Sequence, residues 1–171
     1  HLQKSDIPRA AEALKLAAST SKKKDDRARY YFILGQLYQR SDSTELAFSA
    51  YQKVIKLNPD YEMAFNARIN RARCYDVNSG DAGIVKRELM KMLKDIKNKE
   101  YQDQIYYALA GVAIQEKNEP LAVDYLNKSI QASSGNNTQK SLSYLELGNL
   151  YLKRPDYIPA AAYYDSCLTN L

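Results

Sequence analysis

Three side chains with the spacing of one helix face carry the most specific chemistry in this sequence. Asn66, Asn70 and Arg73 recur at i, i+4 and i+7. On a helix they stack along one side, opposed to the apolar row Phe65, Ile69 and Ala72. A carboxamide both donates and accepts, so two in a row can bind a peptide backbone. A guanidinium adds a partner for a carboxylate. This is the chemistry of recognition rather than of bond making. A merely solvated polar face would carry the same residues, and the spacing leaves both readings open.

The groups that catalysis needs are absent or scattered. The only histidine is His1, which removes His-based triads, His metal sites and most general-base schemes. There is no Gly-rich phosphate loop, no G-x-S-x-G and no H-E-x-x-H. Carboxylates such as Glu45, Glu62 and Asp124 are spread along helix faces expected to point outward. Cys74 and Cys167 lie far apart, with no CxxC and no metal-ligand spacing. They read as small buried hydrophobes. The chain is expected to be no enzyme and to use no cofactor or metal.

The elements that position these residues are helices. With six Gly and five Pro in 171 residues, little interrupts them. Tyrosine is over-represented, at 15 against three Phe and no Trp, and suits a thin helical stack because the ring packs while the hydroxyl reaches water. A net charge of +5 is too small to imply nucleic acid. No run of about 18 apolar residues exists, so no membrane span is expected. The chain starts at His1 with no signal-peptide pattern, and is expected to be a fragment or processed product whose targeting signals are missing.

One pattern organises the whole chain. From Ala28 to Tyr61, the residues Tyr31, Leu34-Gly35, Tyr38, Ala47, Tyr51 and Pro59 hold fixed spacings. They match the W-x2-L-G-x2-Y, A-x3-F and P positions of the tetratricopeptide repeat, which the segment resembles. The pattern returns in Tyr106, Leu109-Ala110, Ala122 and Leu126, and in Tyr144, Leu147-Gly148, Tyr151, Ala160 and Tyr164. A half repeat over 5–18 precedes it, and repeats over about 28–61, 62–100, 101–136 and 141–171 follow. Helices are expected over about 26–40, 44–57, 60–76 and 82–97, with Val85, Leu89, Met92, Leu93 and Ile96 turned inward in the last. Polar loops are expected at 19–27, 77–83 and 133–138. Small residues at Gly35, Ala110 and Gly148 should admit the large side chains of each second helix.

The resemblance implies an all-α fold, a right-handed superhelix of about four helix pairs plus the half repeat, in one solenoid segment. It also implies a concave groove lined by first helices and filled by a protein or peptide. The groove candidates are then Arg29, Phe32, Gln36, Gln39 and Arg40, followed by Asn66, Asn70 and Arg73, and by Gln104, Tyr107 and Ile114. Phe32, Gln36 and Ala108 stand where a carboxylate clamp for acidic tails would need Lys, Asn and Arg, so that activity is not expected. Arg87, Lys91 and Lys94, with Lys86 and Lys97 beside them, form a basic stripe on a second helix. It reads as a solvated face, with anionic lipid or nucleic acid as the alternatives.

The stretches DIPRAAEALKLA, KKDDRARYYFILGQLYQ and MLKDIKNKEYQDQIYYALA also resemble the repeat region of large cell-envelope lipoproteins of Bacteroidota. Those proteins are linked to gliding motility and type IX secretion (the SprE/PorW type). That resemblance implies a docking scaffold at the periplasmic side of the outer membrane, with a lipid anchor outside this segment. The alternative function is a module that captures an extended peptide in the groove.

Overall fold

The computed structural model describes residues 6–77 and 82–170, and all regular structure among them is helical. The helices are α1 Asp6–Thr20, α2 Lys24–Arg40, α3 Thr44–Lys56, α4 Tyr61–Arg73, α5 Ala82–Lys94, α6 Gln102–Gln115, α7 Glu119–Ala132, α8 Asn137–Lys153 and α9 Tyr157–Thr169. A 3₁₀ segment, Ile96–Tyr101, separates α5 from α6. Two compact units result, the first holding α1 to α4 and the second α5 to α9.

In the first unit, α2 and α3 form an antiparallel pair across the three-residue turn 41–43, with α1 packed on α2 and α4 on α3. Gly35 makes the close approach possible. A Cβ there would stand 2.7 Å from Cε1 and Cζ of Tyr51. The Tyr51 ring is fully buried, meets Phe32 edge-on at 5.6 Å, and donates its hydroxyl to Gln39 Oε1 at 2.5 Å. Around it Ala28, Leu34, Leu37, Ala47, Val54 and Ala67 close the core.

The second unit repeats the device. In α8 a Cβ on Gly148 would stand 2.6 Å from Cε1 of Tyr164 in α9, and the Tyr164 hydroxyl donates to Asn149 Oδ1 at 3.1 Å. Ala110 takes the small-residue place in α6 and is fully buried, as is Leu126 opposite in α7. A polar seam runs through the contacts of α6, α7 and α8. Ser129 donates to the Asp103 carbonyl at 2.7 Å and shares a 2.9 Å hydrogen bond with Ser143, and Asn136 Nδ2 donates to Asp103 Oδ2 at 2.8 Å.

Several boundaries differ from the sequence expectation, each for a local reason. α2 starts at Lys24, inside the expected 19–27 loop, because Asp25 and Asp26 complement the helix N-terminus. α8 starts at Asn137, inside the expected 133–138 loop, because Asn136 Oδ1 caps the Gln139 N–H at 3.1 Å. α4 is shorter than expected. Asp60 Oδ1 caps the Met63 N–H at 2.8 Å, and the helix stops at Arg73. α5 ends at Lys94, where Asp95 turns extended and accepts from the Lys97 N–H at 3.0 Å to open the 3₁₀ segment. This throws Ile96, expected inward, out of register, and it is 79% exposed. The start of the half repeat at Ser5, most of the 77–83 turn and Leu171 lie outside the described residues.

Candidate functional site

Corresponding positions on the first helices share one register. Arg29, Phe32, Gln36 and Gln39 of α2 correspond to Met63, Asn66, Asn70 and Arg73 of α4. In the second unit they correspond to Gln104, Tyr107, Gly111 and Ile114 of α6, and to Leu142, Leu145, Asn149 and Leu152 of α8.

In the first unit, Arg29, Gln36 and Arg73 are exposed, and Asn66 and Asn70 are half-buried on α4. Phe65, Ile69 and Ala72, each one residue earlier and so about 100° round the helix, are buried, which leaves Asn66 and Asn70 on the flank of the packed side. Phe32 and Gln39 serve the core as well as the surface, because both hold the Tyr51 ring. Gln39 also hydrogen-bonds the Cys74 thiol, which burial pushes up to about 11 against the pull of that bond and of the Arg73 charge. Burial likewise raises the Tyr51 hydroxyl, with Cys74 adding to it and Arg73 opposing. Gln39, Tyr51, Arg73 and Cys74 therefore form one cluster that ties α2, α3 and α4 together. Arg40 lines a separate hollow of about 490 Å³ against α1, with Ile7, Glu12, Lys15, Tyr38 and Leu46.

In the second unit, Gln104, Tyr107 and Ile114 are half-buried on α6. Gly111 between them has open space where a side chain would be. The neighbouring α8 carries what the sequence reading missed, an exposed apolar row. Leu142, Leu145 and Leu152 are 36%, 40% and 48% exposed. The register of α2, carried forward, would have found them. Attention to polar groups did not. A second omission is Asp103, a fully buried carboxylate raised above its usual range by desolvation, against hydrogen bonds from the Gln104 N–H, Asn136 and Ser133.

Among the described residues, no nucleophile, base and orienting group come together. Both cysteines are buried and free, and no cluster of metal-ligating side chains occurs among the described residues. No helix there is long and apolar enough to cross a membrane.

The Gly35–Tyr51 pair and the three-residue turn characterise the α2–α3 pair, and a family model agrees. The Tetratricopeptide repeat model matches residues 28–61. The chain carries a tetratricopeptide repeat. Comparison with solved structures extends the fold beyond that repeat. A structure titled "Crystal structure of MamA" matches with a TM-score of 0.61 at 18% identity, covering 98% of this chain and 90% of that one. Another, titled "MamA RS-1 ArsTM double mutant", matches with a TM-score of 0.59 at 15% identity, covering 96% and 84%. A comparison with curated proteins gives no match. Tetratricopeptide helix pairs are in general non-catalytic modules that bind protein partners, and no enzyme family is indicated.

Proposed function

We propose that this tetratricopeptide chain is a protein–protein scaffold whose second unit grips a folded partner through α8. The observation that carries this is the row Leu142, Leu145 and Leu152, left exposed at the register positions of a first helix. Covering the exposed part of each leucine would contribute about 1 kcal/mol, so the row alone supports a contact of about 3 kcal/mol. A broad apolar contact of this kind fits a folded surface better than a single peptide backbone.

A second reading rests on Asn66, Asn70 and Arg73, whose side chains share one face of α4. They would hold an extended segment by its backbone and a carboxylate. The envelope setting, at the periplasmic side of the outer membrane within a gliding-motility or type IX secretion complex, is supported by the three stretches that resemble Bacteroidota lipoproteins. In that setting the lipid anchor lies outside this segment.

The test is cross-linking capture from the source organism's envelope fraction, with quantitative mass spectrometry. Wild type is run beside Leu142→Ser/Leu145→Ser/Leu152→Ser and Asn66→Ala/Asn70→Ala/Arg73→Ala. Loss of one defined partner from the leucine variant alone supports the scaffold. Loss from the α4 variant alone supports the peptide module. Recovery of secretion or motility components supports the envelope setting, and equal recovery by all three baits refutes both surfaces.

A further inference from the structure

The basic stripe on α5 takes no part in the surfaces above. Val85, Leu89 and Met92 of α5 are buried, which leaves the opposite side of the helix facing outward. That side carries Arg87, Lys91 and Lys94 at i, i+4 and i+7, all exposed, with Lys86 on its flank. Together with Gly83 and Met90 they line an open hollow of about 720 Å³.

Much of this charge is uncompensated. Lys86 pairs with Glu116 of α6 at 3.1 Å, and Arg87 Nε donates to the Gly83 carbonyl at 3.0 Å, which holds its guanidinium along the helix. Lys91 and Lys94 have no ion pair among the described residues. The sole carboxylate within α5 is the half-buried Glu88. Two apolar side chains border the row, Ile84 at 53% and Met90 at 39% exposure. Met90 also receives the Tyr125 hydroxyl of α7 at 4.0 Å from its sulfur. Methionine is a soft lining that adapts to varied side chains.

We propose that this hollow docks an acidic polypeptide segment of a partner protein. Such a segment would present carboxylates at helical spacing to Arg87, Lys91 and Lys94, and an apolar side chain to Met90. Three cations at that spacing span about 10 Å, two turns of a helix, which a matching Glu row can follow. Charge complementarity selects an anionic occupant. The fixed spacing of the row favours a polypeptide helix over a membrane, because a helix holds its carboxylates at a matching interval while headgroups in a bilayer keep no set spacing. The site lies on α5 and shares no residue with the α8 and α4 surfaces.

The test is fluorescence anisotropy with a labelled helical peptide of Glu, Ala and Leu, against the whole chain at low salt. Lys91→Glu/Lys94→Glu is compared with Lys22→Glu/Lys23→Glu, whose lysines are exposed in the α1–α2 turn. Each pair changes the net charge equally, from +5 to +1, so the comparison separates a site from general attraction. Circular dichroism checks that both variants keep their helices. The α5 variant should weaken binding at least about 10-fold and the turn variant less than about 3-fold. Binding should fall as salt rises. Equal loss in both variants overturns the proposal. So does Lys91- and Lys94-dependent binding to phosphatidylserine vesicles without peptide binding, which would make the occupant a lipid surface.

Discussion

Replacing Gly35 by Ala should destabilise the first unit, although alanine is the better helix former. The intrinsic preference favours the substitution by about 1 kcal/mol. Against it, the new Cβ would stand 2.7 Å from two atoms of the Tyr51 ring and 3.0 Å from a third, where carbon contacts need about 3.5–4.0 Å. The ring must retreat by about 1 Å on that criterion, and its surroundings oppose the movement. It is fully buried, pinned through its hydroxyl to Gln39, and backed by Phe32. Overpacking costs about 1–3 kcal/mol and the hydroxyl bond about 1 kcal/mol more. The net expectation is a loss of about 1–3 kcal/mol. Gly111 is the control. It lies inside α6 with nothing within 4 Å of its would-be Cβ, so Gly111→Ala should gain about 0.5–1 kcal/mol. Urea denaturation followed by circular dichroism reads both, provided the slope of each transition is unchanged. A Gly35→Ala variant as stable as wild type, or a destabilised Gly111→Ala, would refute the packing account.

Two further outcomes follow from buried titratable groups. Burial raises the Asp103 carboxyl above its usual range, so the folded state holds that proton longer than the unfolded chain, whose value is about 3.9. Stability from this group is therefore fullest below about pH 4 and declines as pH rises through the folded value. The urea midpoint of Asp103→Asn should lack that decline relative to wild type, and parallel pH profiles would contradict it. With its thiol near 11, Cys74 at pH 8 is about one part in a thousand thiolate. Iodoacetamide should leave it unlabelled in the folded protein and label it in denaturant, and rapid labelling of the native chain would show the site to be open.

The pairings with fixed spacing were legible in the sequence. Gly35 with Tyr51 and Gly148 with Tyr164 are each 16 residues apart, and that constancy reports a single packing solution used twice. Asn66, Asn70 and Arg73 were placed on one row beside the buried Phe65 and Ile69 by helical period alone. What escaped depended on single polar groups acting at helix ends or over distance. Asp95 ends α5 and exposes Ile96, although the apolar pattern continues through that residue. Asn136 caps α8 and also reaches Asp103, 33 residues earlier, and no local pattern predicts such a bond. The leucine row of α8 was present in the register but hidden by its ordinary composition.

The seam joining Asp103, Ser129, Asn136 and Ser143 has a consequence for how this chain could have diversified. Apolar helix interfaces tolerate slippage and exchange, which is how duplicated repeats come to be recombined. Directional bonds do not: shifting α8 by one turn, or replacing it with the counterpart from another pair, would leave the buried Asp103 carboxylate without Asn136 and Ser129 without Ser143. The stretch from α6 to α8 is therefore expected to tolerate exchange only as one block. Ancestral crossovers that yielded a folded product are expected to lie outside it.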